Sequence, residues 1–162
     1  MAIEYFLKLD GIQGESLSAK HTNEIEVLSW SWGAQNGVDP AHGSGHSTGK
    51  VRLSELTIQK PVDKSSAKLL GLSWTGKVIT NGVLTCCKST GDSNPADFLT
   101  IKLEQIYVTS FQDGGGTGDA TGSESLSFAY GKMTYDYKIQ GKDGTLTAAG
   151  TVTYDNLTRT NS

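Results

Sequence analysis

KPVDKSSAKLLGLSWTG, residues 60–76, is the stretch whose apolar residues recur at helical rather than strand spacing. Asp63 can accept the free N–H groups of a first turn, and Gly76 stands where helices commonly leave through a left-handed residue. The spacing therefore predicts a helix over about 63–75, roughly 18 Å long at 1.5 Å per residue. A helix this short is marginal alone in water, so packing has to hold it. Ala67, Leu70, Gly71 and Trp74 fall on one stripe that is expected to lie on a sheet. Gly71 there lets the backbones approach closely, at about 1 kcal/mol of helix propensity. Leu69 and Leu72 then point away, a second apolar surface for a loop of the same chain or a neighbouring subunit to cover.

Outward from this segment the chain reads as β. Its 162 residues suit a single domain, 1–162, large enough to bury a core without disulfides or metal. Twenty Gly against three Pro, with Ser and Thr spread throughout, favour tight turns and half-exposed strands. Fourteen basic against seventeen acidic residues give a net charge of −3 with no basic run, so neither a nucleic-acid partner nor an anionic membrane is expected. Met1–Asp10 alternates like a strand and carries no apolar core of a secretory signal. No run approaches the ~20 apolar residues of a membrane span. The two cysteines, Cys86 and Cys87, are adjacent, where a disulfide is strained. They fit a reduced, cytoplasmic setting, one facing the core and the other the opposite side of a strand. A vicinal redox pair is the sharper alternative.

Ile3–Asp10 places Ile3, Tyr5, Leu7 and Leu9 on one face and Glu4, Phe6 and Lys8 on the other. Glu24–Gly33 is the cleanest strand, with Leu28, Trp30 and Trp32 inward and Val27, Ser29 and Ser31 on the other face. Lys50–Lys60 changes apolar phase near Ser54–Glu55, Phe98–Phe111 slips near Glu104–Gln105, and Glu124–Ile139 slips at Gly131. Slips of this kind bend and twist strands, so the sequence predicts a closed or nearly closed β-barrel of long antiparallel strands with one flanking helix. Lys142-Asp143-Gly144 marks the closing hairpin into Thr145–Asp155. Residues 36–49 and 112–123 read as flexible loops, and 156–162 as a tail that frays.

Chemistry is sparse. The three histidines, His21, His42 and His46, all fall in predicted loops, so a hydrolase triad has no fixed base. His42-x-x-x-His46 lies in a Gly/Ser loop without the rigid scaffold that metal ligands need. No phosphate loop, dinucleotide fingerprint or zinc spacing occurs. The expectation is no enzyme, no cofactor and no metal site.

Several spaced runs carry a resemblance. Phe6-Leu7-Lys8-Leu9-Asp10-Gly11-Ile12-Gln13-Gly14-Glu15-Ser16, then His21 and Glu24–Gly33, resemble the N-terminal half of the Hcp family, the haemolysin-coregulated proteins of type VI secretion. The likeness continues through Asp63–Leu70, Gly76-Lys77 and Phe98–Leu103, and so covers most of the chain. It implies a hexameric ring that stacks into the inner tube of a contractile injection machine. The ring would be cytoplasmic before firing, then secreted without a cleaved signal peptide. Its partners would be further copies of itself, the sheath and spike, and effector proteins chaperoned in the ring lumen. On the family pattern Ser31 and Ser29 face the bore. The 36–49 loop, with Val38, Asp39, His42 and His46, reaches the next ring. Leu69 and Leu72, together with open strand edges, are candidates for the two different patches that a closed head-to-tail ring requires. The competing reading is a monomeric, hollow β-barrel that binds a small ligand.

Overall fold

The computed structural model describes residues 2–38, 41, 51–89 and 95–162. Strand β1 (Ala2–Leu9) pairs antiparallel along its whole length with β7 (Ile79–Ser89), and through Tyr5–Leu7 with β2 (Ile25–Val27). At Leu28 the chain bends, its N–H donating to the Gln59 carbonyl at 2.7 Å. It resumes as β3 (Ser29–Ser31), which pairs with β6 (Leu56–Pro61) instead of β1. Strand β6 pairs with the first half of β9 (Ser123–Gln140), β9 with β8 (Ala96–Gly114), and β8 with β7. The ladder thus returns to its start through the bend at Leu28, and the curled sheet predicted from the phase slips is what forms. A separate two-stranded pair is formed by β4 (Ala34–Asn36) with β5 (Val51–Leu53).

The second half of β9 pairs with β10 (Leu146–Asp155), on the edge that its first half gives to β6. The fork sits at Tyr130 and Gly131, whose carbonyls accept the side-chain amide and backbone N–H of Asn156 at 2.9 and 2.7 Å. Gly131 also faces the slip in β8. Gln105 has φ +53° there, and a Cβ at Gly131 would lie 2.7 Å from the Gln105 Oε1. The slips at Glu104–Gln105 and Gly131 are therefore two sides of one kink.

Helix α1 (Ser66–Thr75) ends as expected, Gly76 adopting φ +65° with its N–H on the Leu72 carbonyl. Its start and rotation differ from expectation. Asp63 lies before the helix and accepts the Ser65 N–H at 2.9 Å as a turn cap. The stripe that faces inward is Ser65, Leu69 and Leu72: Leu69 is fully buried and Leu72 packs against the core. Ala67 is exposed and Trp74 is 79% exposed. The rotation is set by tethers at the N-terminal end rather than by the largest ring. Lys64 N–H donates to Glu15 Oε2 at 3.0 Å and Lys68 Nζ to the Gly11 carbonyl, pinning that side to the β1 turn. Leu69 is therefore a core residue and presents nothing to a neighbour.

Further differences follow from bends. Leu28, expected inward, is 59% exposed because it and Ser29 both point out at the bend, leaving Ile25 and Val27 to fill the interior. Trp30 and Trp32 are half-buried against the core as expected. The ladder of β8 and β9 runs on to Gly114 and Ser123, into the segment read as a loop. Residues 156–162, expected as a tail, include β11 (Thr160–Asn161), which pairs with β10, and Thr153 and Ser162 exchange backbone hydrogen bonds at 2.8 and 2.9 Å. The interior is one contiguous apolar cluster that includes Leu7, Leu84, Ile101, Leu103, Leu126 and Phe128, so the barrel is filled and not hollow.

Candidate functional site: two outer walls of one barrel

The first wall is built from alternation. Residues directly opposite one another in a ladder share a face. Ser29 opposes Gln59 and Ser31 opposes Thr57. Thr57 and Gln59 oppose Ser127 and Ser125, which in turn oppose Ser110 and Gln112. Ser29 and Ser31 are exposed, so the row looks outward. The named side chains are hydroxyls and amides, Thr57 and Ser127 hydrogen-bond to each other at 3.1 Å, and the one carboxylate bordering them, Glu55, accepts from Thr109 at 2.7 Å. Short hydroxyls can donate or accept with little entropy lost, so this wall can exchange water for many polypeptide surfaces without selecting one.

The second wall is the outer face of β1, β7 and β8, and it is covered. Phe6 and Cys87 point outward there, and both are buried beneath the segment between β1 and β2. Gly14 lets this segment close on itself, since a Cβ there would lie 2.4 Å from the Glu24 carbonyl. Its N–H reaches the Asn23 carbonyl at 2.8 Å. His21 stacks flat on Phe6, with ring centroids 4.6 Å apart. Its Nδ1 lies 2.8 Å from Glu24 Oε2 and its Nε2 lies 3.0 Å from Asp97 Oδ1. Cys87 neighbours Asp97 in the ladder, and burial, reinforced by the Asp97 carboxylate, pushes its thiol up to about 12. Burial pushes Cys86, on the core side near Trp30, up to about 11. Cysteine, histidine and carboxylates meet here, yet the thiol stays protonated and both ring nitrogens already face carboxylates. The group lacks an activated nucleophile.

A third cluster lies under the helix start. Lys60, fully buried, places Nζ 2.7 Å from Glu124 Oε2 and 3.0 Å from Asp63 Oδ1. It also donates to Ser66 Oγ at 3.2 Å and to the Pro61 carbonyl at 3.0 Å. Glu124 Oε1 has no partner among the described residues. A buried ion pair of this kind fixes position more than it adds stability, and here it locks the helix to β6 and β9. The signal was in the sequence: Lys60 continues the inward phase of Leu56 and Ile58, and Glu124 that of Leu126 and Phe128.

The residues expected to function do not converge. Ser29 and Ser31 lie on the bare wall, Leu69 and Leu72 under the helix, and Val38, 54% exposed, beside the β4–β5 pair. Asp39, His42 and His46 lie outside the described residues. The covered wall, with His21, Cys87 and Asp97, was not foreseen, because a loop that folds over a strand face leaves no periodic trace.

The described residues form a filled antiparallel barrel braced by one helix, a β-barrel protein with one wall of small polar side chains. The family described as "Type VI secretion system effector, Hcp" matches residues 6–137. Protein Hcp1 of Pseudomonas aeruginosa is 33% identical over 144 residues, 89% of this chain and 88% of that protein. A solved structure of a type six secretion system protein superposes with a TM-score of 0.92 at 32% identity, over 99% of this chain and 100% of the other. Hcp1 from Salmonella typhimurium gives 0.81 at 29% identity over 100% of both chains. The chain belongs to the Hcp family. No helix among the described residues is long and apolar enough to cross a membrane.

Proposed function

We propose that this chain is a non-enzymatic subunit of the type VI secretion inner tube. Six copies close into a ring, rings stack, and effector proteins are held in the lumen against the uncharged wall of Ser29, Ser31, Thr57 and Ser127. The subunit stays in the cytoplasm until firing and is then secreted with its cargo, meeting sheath and spike proteins on the way. The observation that carries this reading is the bare hydroxyl wall on a chain of the Hcp family, because a lumen serving varied cargo needs a surface that is wet, uncharged and unselective.

Two features supply the unlike patches that a closed head-to-tail ring requires. One is the exposed helix end at Trp74, which replaces Leu69 in that role. The other is the β9–β10 hairpin, which leaves the barrel at Gly131 and exposes Ile139 and Val152 by 54% and 50%. Stacking through Val38 and the 36–49 loop, with Asp39, His42 and His46, belongs to the same proposal. The rival small-ligand barrel is disfavoured by the packed interior. Native mass spectrometry at micromolar concentration tests the assembly, with a species of six times 17.2 kDa expected. A monomer, or a twofold dimer, ends the proposal.

A further inference from the structure

We infer that His21, Cys87 and Asp97 form a binding site for one borderline-soft divalent transition metal, zinc being the ion whose ligand preferences they match. The inference is independent of ring assembly. Imidazole nitrogen, thiolate and carboxylate oxygen are the three protein donors that zinc accepts. Here Nε2 or Nδ1 of His21, Sγ of Cys87 and a carboxylate oxygen of Asp97 all lie within 4.8 Å of one another. Bonds of about 2.0–2.3 Å in a tetrahedron separate ligand atoms by roughly 3.5 Å. His21 Nε2 and Asp97 Oδ1, 3.0 Å apart, would open slightly and Sγ of Cys87, within 4.8 Å of both residues' donors, would approach, an adjustment that the side chain of Asp97, 26% exposed, has room to share.

The hydrogen-bond pattern around His21 points the same way. A neutral imidazole owns one N–H, yet Glu24 and Asp97 approach the two nitrogens at 2.8 and 3.0 Å. With the proton on Nδ1 toward Glu24, the Nε2 lone pair faces the Asp97 oxygen, two acceptors in contact. A cation between them turns that repulsion into coordination. A carboxylate on the far nitrogen is also how metal-binding histidines are oriented and made more basic. Glu4 adds negative charge near Cys87; Lys20 opposes it, but its ammonium is drawn off to the Pro95 carbonyl at 3.1 Å. Zinc displaces the Cys87 thiol proton, so one proton passes to solvent for each ion bound and water takes the fourth position. The ligands come from the segment before β2, from β7 and from β8, so the ion would staple that segment onto the barrel.

Cobalt(II) added to chelator-treated full-length protein is the probe. One ion per chain is expected, with a thiolate-to-cobalt charge-transfer band that zinc abolishes by displacement, and a higher melting temperature with zinc. Cys87→Ser should remove the band, whereas Cys86→Ser and the double variant His42→Ala/His46→Ala should retain it. Glu24→Gln, which keeps all three ligands, should weaken binding about 10- to 100-fold. Should Cys87→Ser fail to fold, Asp97→Asn provides the same test through a large loss of affinity at unchanged circular dichroism. Absence of stoichiometric binding, a band that survives Cys87→Ser, or binding lost with the His42/His46 variant alone overturns the inference.

Discussion

The two outer walls of this barrel are made by the same alternation and end in opposite states. On one, the outward residues are Ser29, Ser31, Thr57, Ser125 and Ser127, small and polar, with Thr57 and Ser127 hydrogen-bonded to each other. On the other they include Phe6 and Cys87, and the segment carrying His21 folds down to bury them. Burying a ring such as Phe6 is worth about 1.5–3 kcal/mol, enough to hold a short segment in place. The outward side chains, and not the strands, decide whether a wall is free to meet a partner.

That contrast can be broken by substitution, most severely where charge is buried next to the bare wall. Lys60 and Gln59 are neighbours on opposite faces of β6. Lys60→Met strands Glu124 without its cation and should cost about 3–5 kcal/mol, read as a lower denaturant midpoint, while Gln59→Met should leave the midpoint nearly unmoved. On the covered wall, Phe6→Ala should cost about 3 kcal/mol, the lower end for a buried aromatic, and raise proteolytic cutting between residues 13 and 24. Equal stability losses for Phe6→Ala and Ser31→Ala would erase the distinction between the walls.

A smaller effect comes from alkali. Folding raises the thiols of Cys86 and Cys87 to about 11 and 12, so the unfolded chain gives up those protons first. The stability held below the ordinary thiol value should fall as pH rises through about 9 to 12, and Cys87→Ser should flatten part of that slope in unfolding curves. Stability that does not fall across this alkaline window, or a slope that Cys87→Ser leaves unchanged, would contradict the burial of the Cys87 thiol. The smallest expected effect on stability is that of Ser31→Gln, within about 0.5 kcal/mol. It should leave the ring intact and reduce co-purification of effector. Loss of folding instead would put Ser31 in the core.

Much of this was legible because it is periodic. The slips at Gln105 and Gly131, the Asp-Gly turn, the cap at Gly76 and the outward placing of Ser29 and Ser31 all follow from spacing or backbone need. The helix face was misread because Trp74 outweighed Leu69 by size, while the true rotation is set by Lys64 and Lys68 bonding to residues some fifty positions earlier in the chain. Leu28 failed for a related reason: a strand that changes partners at a bend spends two residues on one face. The cluster of His21, Cys87 and Asp97 was beyond reach, since its members meet only after a loop closes over a sheet.

The central claim is that the hydroxyl wall lines an enclosed opening. Ser31→Cys carrying a small gold cluster tests it, because Cys86 and Cys87 are buried and stay unlabelled. Averaged electron-microscope projections of the labelled particle should show gold inside the opening of a six-membered ring. Gold on the outer rim, or particles without an opening, would contradict the account.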